Sequence, residues 1–274
     1  MTGYKKEWTK EEVIKIYNKP LLQLVFDAAK VHREHHDPTE VQVSTLLSIK
    51  TGGCPEDCGY CPQAARYHTD IEKNDLMSVQ TVKAQALRAK SSGSSRVCMG
   101  AAWRNVKEGK DFDQVLEMVR TVRDLDMEVC CTLGMLTEDQ ARRLSEAGLY
   151  AYNHNLDTSE EHYKKVISTR GYEDRIETIG NARKAGLTVC SGGIIGMGET
   201  PEDRAAMLVT LSCLNPYPES VPINALVAVE GTPMEDQEQI PIWEMIRMIA
   251  TTRIVLPKTT VRLSAGRTEM SDEG

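Results

Sequence analysis

Alternating strand-like and helix-like segments restrict the fold of this chain more than any other feature of its sequence. The segment VQVSTLLSIKTGG, at residues 41–53, is a β-rich run that ends in glycines. Further strands are predicted at 96–102, 128–134, 150–157, 187–197, 221–229 and 260–266. Helices are predicted between them at 80–91, 111–126, 137–147, 172–185, 201–214 and 240–254. Strands that alternate with helices of about 10–15 residues fold as right-handed βαβ units around a parallel sheet.

This order predicts an α/β fold, and within that class a TIM-type (β/α) barrel. The sequence provides seven predicted strands, whereas a closed barrel of this type is built from eight. We therefore expect a barrel that lacks its last βα unit. A doubly wound sheet would instead carry a glycine-rich fingerprint after its first strand, where this chain has a cluster of cysteines. Residues 41–274 are expected to form the barrel domain, incomplete at its C-terminus.

Residues 1–40 are predicted to form an N-terminal helical extension that precedes the barrel. Thr9 and Glu12 have the spacing of a capping box, in which each residue bonds the backbone of the other at a helix start. The segment LLQLVFDAAKVHREHH then continues with helical periodicity. The extension is therefore expected to be helical over most of its length.

Charge and hydropathy exclude several classes of partner. The formal net charge is -7, which argues against nucleic acid or an anionic membrane surface as the main partner. No apolar run approaches the ~20 residues that a membrane span needs, and the first residues have no apolar signal core. We therefore expect a cytoplasmic protein. Its 8 cysteines should then be reduced, so that clusters of them indicate a metal or catalysis rather than disulfides.

Three cysteines after the first strand form the pattern CxxxCxxC. Cys54, Cys58 and Cys61 can together surround one soft metal centre. A zinc site would need a fourth ligand, usually from a second pair, and the nearest candidate is His68. An iron–sulfur cluster is the favoured interpretation, and zinc remains the alternative. Three thiolates on a four-iron cluster leave one iron open, which is where a reactant could bind.

A second pattern repeats across the predicted strands. Val97-Cys98, Val129-Cys130 and Val189-Cys190 share one dipeptide, and Val261-Arg262 lies in a similar context. Because strand side chains alternate between two faces, the three cysteines and the arginine would all point into the barrel. A buried arginine needs an anionic partner, which a thiolate-bound cluster would supply. The alternative is that each cysteine is a small hydrophobic core residue, and this is what we expect of Cys131 and Cys213, which lie outside the pattern.

Polar residues occur at the ends of two further strands. Asn153, Asn155 and Asp157 share one face of the predicted strand 150–157, and their groups suit a ribose diol or a cyclic urea. The alternative is a turn rich in Asn and Asp. Asn224 lies inside an apolar strand, and a ligand would be one partner for it. The glycines between residues 192 and 199 would allow a ligand to approach the backbone closely.

These motifs resemble those of one known group of enzymes. CxxxCxxC after a first strand resembles the radical S-adenosylmethionine (SAM) superfamily. The longer strings STLLSIKTGGCPEDCGYCPQ, YNHNLDTS, VCSGGIIGMGET, ESVPINALV and VRLSAGR resemble, within that superfamily, the enzymes that insert sulfur into dethiobiotin. The resemblance runs from about residue 40 to the C-terminus.

The resemblance implies two clusters and their ligands. Cys54, Cys58 and Cys61 would hold a [4Fe–4S] cluster that chelates SAM and cleaves it to a 5'-deoxyadenosyl radical. That radical would abstract hydrogen from two carbons of dethiobiotin, and a [2Fe–2S] cluster would donate the sulfur. The ligands of the second cluster would be Cys98, Cys130, Cys190 and Arg262. The SAM contacts would be Ala102, Asn155, Asp157, Arg175 and Ile194, and the substrate contacts Asn153, Asn155 and Asn224.

The resemblance also suggests partners, and it leaves two other hypotheses open. It suggests a homodimer and an electron donor of the flavodoxin or ferredoxin type. One alternative is a sister radical SAM enzyme with another substrate, although most such relatives lack a second cluster built from strand cysteines. The other is a non-catalytic metal-binding or scaffold protein, which would lack the colour and sulfide of iron–sulfur clusters.

Overall fold

The computed structural model of the chain describes residues 7–270. The predictions made for residues 1–6 and 271–274 lie outside the described residues. Helices occupy α1 Lys10–Tyr17, α2 Leu21–His35, α3 Val79–Ser91, α4 Lys110–Arg123, α5 Glu138–Ala147, α6 Glu160–Val166, α7 Tyr172–Lys184, α8 Pro201–Cys213 and α9 Ile242–Val255. Strands occupy β1 Ser44–Lys50, β2 Arg96–Ala101, β3 Glu128–Thr132, β4 Ala151–Asn153, β5 Thr188–Cys190, β6 Gly193–Ile195, β7 Ser220–Ala225 and β8 Thr260–Leu263. A short 3-10 helix follows at Arg267–Glu269.

The chain divides into two compact units. Residues 41–154 and 167–189 form what we call the N-terminal unit. Its strands β1 to β4 pair in chain order, and the pairs β1–β2, β2–β3 and β3–β4 are all parallel. The start of β5 joins them, because the Thr188 backbone N–H donates to the Tyr150 carbonyl at 3.2 Å. The predicted parallel βαβ order is therefore confirmed in this unit.

The helices of the N-terminal unit are buried along one face each. In α4, the buried residues Phe112, Val115, Val119 and Val122 recur at helical spacing. They cover a sheet whose own buried face includes Val97, which has no exposed surface. Removing this apolar surface from water is the main force that holds such layers together, at about 25 cal/mol per Å².

Of the described residues, 7–40, 155–166 and 190–270 form what we call the C-terminal unit. Here β7 is the central strand, with β8 parallel to one side of it. On its other side, β5 contributes Cys190, which pairs with Ser220, and β6 pairs further along β7. Helix α1 packs with α8, and α2 packs with α9, so the predicted N-terminal extension is helical and packed within this unit.

The strand predicted at 187–197 is two short strands rather than one, and the neighbouring strand explains the break. Cys190 pairs with Ser220 and Gly193 with Ile223, so β5 and β6 keep one register along β7. Between them Gly192 lies opposite Pro222, which has no N–H to donate to the ladder. The Gly192 carbonyl accepts instead from the backbone N–H of Asp157, at 3.2 Å.

Two other predictions of the sequence pattern need correction. The strand predicted at 150–157 ends at Asn153, and Asp157 has a φ of 68°, so the alternation of faces does not extend from Asn153 to Asp157. Helix α6, at Glu160–Val166, was not predicted. The other helices predicted for the barrel begin and end within three residues of the predicted bounds, and the largest difference is at α4, which ends at Arg123 rather than at 126. None of the helices in the described part of the chain has the length and apolar character needed to cross a membrane.

Gly192 gives a first testable prediction. A Cβ atom at this position would overlap the carbonyl oxygen of Pro222, which is part of the β7 backbone and cannot rotate away. We expect Gly192→Ala to lower the free energy of unfolding by about 2–3 kcal/mol, the upper part of the range for overpacking. Gly180→Ala is the matched control, because nothing lies within 4 Å of the added atom and alanine favours the α7 helix. Equal unfolding midpoints in urea for both variants would contradict the prediction.

Candidate active site

The CxxxCxxC segment forms a closed loop after β1. Gly52 and Gly53 both have a positive φ, of 71° and 72°, which turns the chain sharply as it leaves the strand. The Cys54 backbone N–H donates to the Gln63 carbonyl at 2.9 Å, and the Ala65 N–H donates back to the Cys54 carbonyl at 2.7 Å. Within the loop, the Cys61 N–H donates to the Cys58 carbonyl at 2.9 Å. The backbone therefore brings the three predicted thiols together on one short loop.

The two acidic residues between Cys54 and Cys58 anchor this loop. The Asp57 carboxylate accepts the backbone N–H groups of Ser168 and Thr169 at 2.9 and 3.0 Å. It also accepts the hydroxyl groups of both residues. Burial acts to raise the pKa of Asp57, but these hydrogen bonds outweigh it and hold the pKa well below the usual 3.8. The loop is therefore tied to segment 168–170, which the sequence analysis did not single out.

The chemistry of the three thiols fits an iron–sulfur cluster. Among residues 7–270, no three His, Cys, Asp or Glu side chains converge so as to hold one metal ion. Thiolates that hold an iron–sulfur cluster bind to different irons, so they need not converge on one point. Burial raises the pKa of the Cys54 thiol, while Arg170 and Lys50 oppose that rise. A donor set of three thiols with nearby cations fits a cluster that is anionic when ligated by thiolates.

Two cysteines of the repeated dipeptide lie side by side in the N-terminal unit. Val97 pairs with Val129, and Cys98 pairs with Cys130, across β2 and β3. Both valines are fully buried, as expected if they face the helices. The next residue, Cys131, has no exposed surface, and burial raises the pKa of its thiol. Cys98 and Cys130 therefore share one register across β2 and β3, and Cys131 follows them as a fully buried residue.

A buried arginine accompanies this cysteine pair. Arg96 lies two residues before Cys98 and thus on the same face of β2. Its Nη2 is 2.6 Å from Oε2 of Glu128, and its guanidinium lies 5.1 Å from the ring centroid of Tyr150. Arg96 was not among the residues predicted from the sequence, although the two-residue period of the strand indicates it.

The C-terminal unit contains the other two residues of the pattern. Cys190 is buried and pairs with Ser220 of β7. Arg262 of β8 donates through Nε to the Ser220 hydroxyl, at 2.8 Å. Ser220 thus lies beside both residues, although it was not among the predicted site residues. Cys213, in contrast, is exposed at the end of α8, so the expectation that it packs in the core is wrong.

Two asparagine side chains and the Asp157 backbone in the C-terminal unit bond to the backbone of residues 192–194. The Asn155 side-chain oxygen accepts the Gly192 N–H at 3.1 Å. The Asp157 carbonyl accepts the Ile194 N–H at 2.8 Å. The side-chain amide of Asn224 donates to the Gly193 carbonyl at 3.0 Å, and its oxygen accepts the Ala265 N–H. Asn155, Asp157, Ile194 and Asn224 are therefore neighbours, as a shared ligand would require.

The remaining predicted contacts lie in the N-terminal unit. The Asn153 amide donates to the Thr132 hydroxyl at 3.0 Å. Arg175 is buried in α7, and Ala102 is buried just after β2. His154 is also buried, and burial, reinforced by the charge of Arg175, holds its pKa well below 6.5, so its ring is neutral. A neutral, buried ring agrees with the structural role that the sequence suggested for His154.

A buried ion-pair network supports the glycine-rich loop. The Glu199 carboxylate accepts the backbone N–H groups of Gly196 and Met197, at 2.9 and 2.7 Å. It also pairs with Nε of Arg204 at 2.7 Å. Nη1 of Arg204 donates in turn to the Tyr17 hydroxyl at 2.7 Å and to Glu244 at 2.9 Å. The turn at residues 196–197 is therefore held, through Arg204, by the N-terminal helix α1.

Comparison with solved structures identifies the fold. The structure of methylornithine synthase (PylB) has a TM-score of 0.81 over 94% of this chain and 76% of that chain, at 19% identity. The hydrogenase maturase HydG has a TM-score of 0.79 over 94% of this chain and 60% of that chain, at 16% identity. These likenesses confirm the predicted TIM-type (β/α) fold.

Comparison of sequences identifies the family. Residues 48–211 match the radical SAM superfamily, and residues 222–274 match the Biotin and Thiamin Synthesis associated domain. Biotin synthase of Christiangramia forsetii is 79% identical over 98% of this chain and 74% of its own length. Biotin synthase of Flavobacterium psychrophilum is 78% identical over 100% and 76%, and the mitochondrial enzyme of Arabidopsis thaliana 57% over 98% and 71%. With these identities and its cysteine loop, the chain belongs to the biotin synthase family of the radical SAM superfamily.

Proposed function

We propose that this chain inserts sulfur into dethiobiotin to form biotin, with SAM as the source of the radical. Radical SAM enzymes use a [4Fe–4S] cluster and SAM. The observation that carries the proposal is the cross-strand pair Cys98–Cys130, because it favours a second, sulfur-donating cluster over a sister enzyme with one cluster. The sequence identity of 79% to the biotin synthase of Christiangramia forsetii supports the same substrate for this chain.

The first cluster is assigned to the loop after β1. Cys54, Cys58 and Cys61 would hold the [4Fe–4S] cluster. When bound, this cluster and SAM supply a 5'-deoxyadenosyl radical that takes hydrogen from two carbons of dethiobiotin, while the second cluster supplies sulfur. The task of the protein is to hold the thiols and to orient the reactants, since the cofactors carry the radical chemistry. The bonds from Ser168 and Thr169 to Asp57 fix the loop for that task.

The second cluster, of the [2Fe–2S] type, is assigned to the repeated dipeptide. Its ligands would be Cys98, Cys130, Cys190 and Arg262. The register of Cys98 with Cys130 supports this assignment in one unit. In the other unit, the bond from Arg262 to Ser220, the strand neighbour of Cys190, supports it.

SAM and the substrate are assigned to the polar residues around the glycine-rich loop. The SAM contacts would be Ala102, Asn155, Asp157, Arg175 and Ile194, and the dethiobiotin contacts Asn153, Asn155 and Asn224. Amide groups can both donate and accept, which matches the ureido group of the substrate. Asn155 and Asn224 already bond the backbone of residues 192–193, so that their amide planes are fixed before any ligand binds.

Four further parts of the proposal rest on the family resemblance or on composition. We propose a cytoplasmic homodimer that receives electrons from a flavodoxin- or ferredoxin-type donor. We also retain the division into a helical extension at 1–40 and a barrel domain at 41–274.

One anaerobic reaction tests the proposed function. The reconstituted chain is mixed with SAM, dethiobiotin and dithionite or a flavodoxin system, and 5'-deoxyadenosine and biotin are both quantified by mass spectrometry. We expect both products, with biotin at up to about one per chain. Deoxyadenosine without biotin or its thiol intermediate would contradict the substrate or sulfur assignment, and the absence of both products would contradict the radical function.

Arg262 gives a prediction that separates it from the cysteine ligands. An arginine is an unusual metal ligand, and another base or water could take its position. We therefore expect Arg262→Ala to keep most of the [2Fe–2S] absorption and a reduced biotin yield. Cys190→Ala, the comparison variant, should lose the absorption. Complete loss of the [2Fe–2S] absorption in the arginine variant would contradict this expectation.

A further inference from the structure

A buried ion pair lies against the cysteine loop, and the proposed function does not use it. Nη2 of Arg170 is 3.9 Å from the Cys58 sulfur, within hydrogen-bond distance for sulfur. Nε of the same guanidinium is 3.9 Å from Oε1 of Glu56. The two side chains are only 8% and 3% exposed. A positive charge and a negative charge therefore lie next to the thiols of the cysteine loop, largely shielded from water.

Stability alone is a weak reason for this pair. Taking two charges out of water costs several kcal/mol for each ion, and their attraction often only offsets that cost. Glu56 is also held by the Thr169 hydroxyl, and it lies 3.5 Å from Nε of Arg104. The Glu56 carboxylate therefore has partners on several sides. The Arg170 guanidinium is directed at the Cys58 sulfur rather than at solvent.

The surroundings determine which charges a cluster in this loop would experience. Arg66, on the loop itself, is 51% exposed and lies 3.5 Å from Asp57, a charged carboxylate that Ser168 and Thr169 hold through hydrogen bonds. Lys50 points to the carbonyl of Gly52, at 2.7 Å. Of these cations, Arg170 is the most buried one that also contacts a thiol, and a charge at low exposure is poorly screened.

We propose that Arg170 and Glu56 set the reduction potential of the cluster held by Cys54, Cys58 and Cys61, with opposite signs. Reduction adds one negative charge to the cluster. An N–H directed at a ligand sulfur and a nearby positive charge stabilise the reduced form and raise the potential, whereas a nearby carboxylate lowers it. Both residues are positioning and tuning residues, and neither is required to contact a reactant. This inference rests on the proposed assignment of the [4Fe–4S] cluster.

The test is an anaerobic redox titration of the reconstituted full chain, monitored by electron paramagnetic resonance. For Arg170→Gln, we expect the ratio of reduced to oxidised cluster at a fixed potential to fall about tenfold, which is about 59 mV for one electron. Glu56→Gln should shift the ratio in the opposite direction. Arg170→Lys keeps the charge and should restore most of the potential. Arg66→Gln removes an exposed charge from the same loop and is the matched control, with no shift expected.

The opposite signs separate tuning from a structural role. A structural defect would change iron content or thermal stability in both variants without opposite shifts of the potential. Unchanged potentials in both variants, or shifts of the same sign, would overturn the inference. If Arg170→Gln fails to hold iron, Glu56→Gln and Arg170→Lys still carry the test. Absence of a [4Fe–4S] signal in the unmodified chain would instead refute the assignment of the cluster itself.

Discussion

Replacing Cys54 with alanine should abolish the formation of 5'-deoxyadenosine. The loop then has two thiols instead of three. The backbone bonds of residue 54 to Gln63 and Ala65 keep the loop in place, but they provide no sulfur ligand for the cluster. We expect iron and sulfide to fall by the content of one [4Fe–4S] cluster, and both products to fall to background. The measurements are iron and sulfide analysis, the absorption spectrum, and product analysis by mass spectrometry.

The matched control for Cys54 is the exposed cysteine of α8. Cys213→Ser removes a thiol that has no place in either proposed cluster. Its iron content and product yields should equal those of the unmodified chain. Formation of 5'-deoxyadenosine by the Cys54→Ala variant at the normal rate would show that the first cluster is held by other residues.

The double variant Cys98→Ala/Cys190→Ala should separate the two halves of the reaction. It removes one proposed ligand from each compact unit and leaves the loop at residues 54–61 intact. We expect loss of the [2Fe–2S] absorption and of biotin, while SAM is still cleaved to 5'-deoxyadenosine. An iron count equal to that of the unmodified chain would refute the second cluster.

Cys131 provides the control for the double variant. It is adjacent to Cys130 but pairs with Met99 on the opposite face of β3, in the core. Cys131→Ala should keep both absorption spectra and cost about 1 kcal/mol or more of stability, because it leaves a small void. Loss of the [2Fe–2S] spectrum in this variant would mean that the ligand is Cys131 rather than Cys130.

The order of most strands and helices was predictable from the sequence because most elements have a strong local signal. Thr9, Thr137 and Thr200 cap their helices with the reciprocal bonds that their spacing predicts. Gly148 ends α5 in the left-handed conformation, with a φ of 96°. These signals lie within a few residues of the boundary that they mark, so no knowledge of the tertiary structure is needed to interpret them.

The missed features depend on contacts between distant parts of the chain. The break between β5 and β6 depends on Pro222 of the neighbouring strand β7, which lies 30 residues after Gly192 in the chain. The anchoring of Asp57 depends on Ser168, which is separated from it by 111 residues. Asn155 was identified from a strand alternation that ends before it, although its bond to Gly192 places it among the other predicted contacts. Local periodicity carries no information about such pairs.

The position of Tyr17 has a practical consequence for shortened versions of the enzyme. The Tyr17 hydroxyl and the Glu244 carboxylate each accept a hydrogen bond from Nη1 of Arg204. The same guanidinium pairs with Glu199, which bonds the turn at residues 196–197. A version of the chain trimmed to begin at residue 41 would lose this phenol and leave the arginine only partly satisfied. Such a truncation would therefore disturb the glycine-rich loop through Arg204, which is 187 residues from Tyr17 along the chain. A protease cut or an affinity tag in the N-terminal helical extension would likewise disturb the glycine-rich loop. A change in turnover would then reflect the altered loop rather than a direct role of the extension in catalysis.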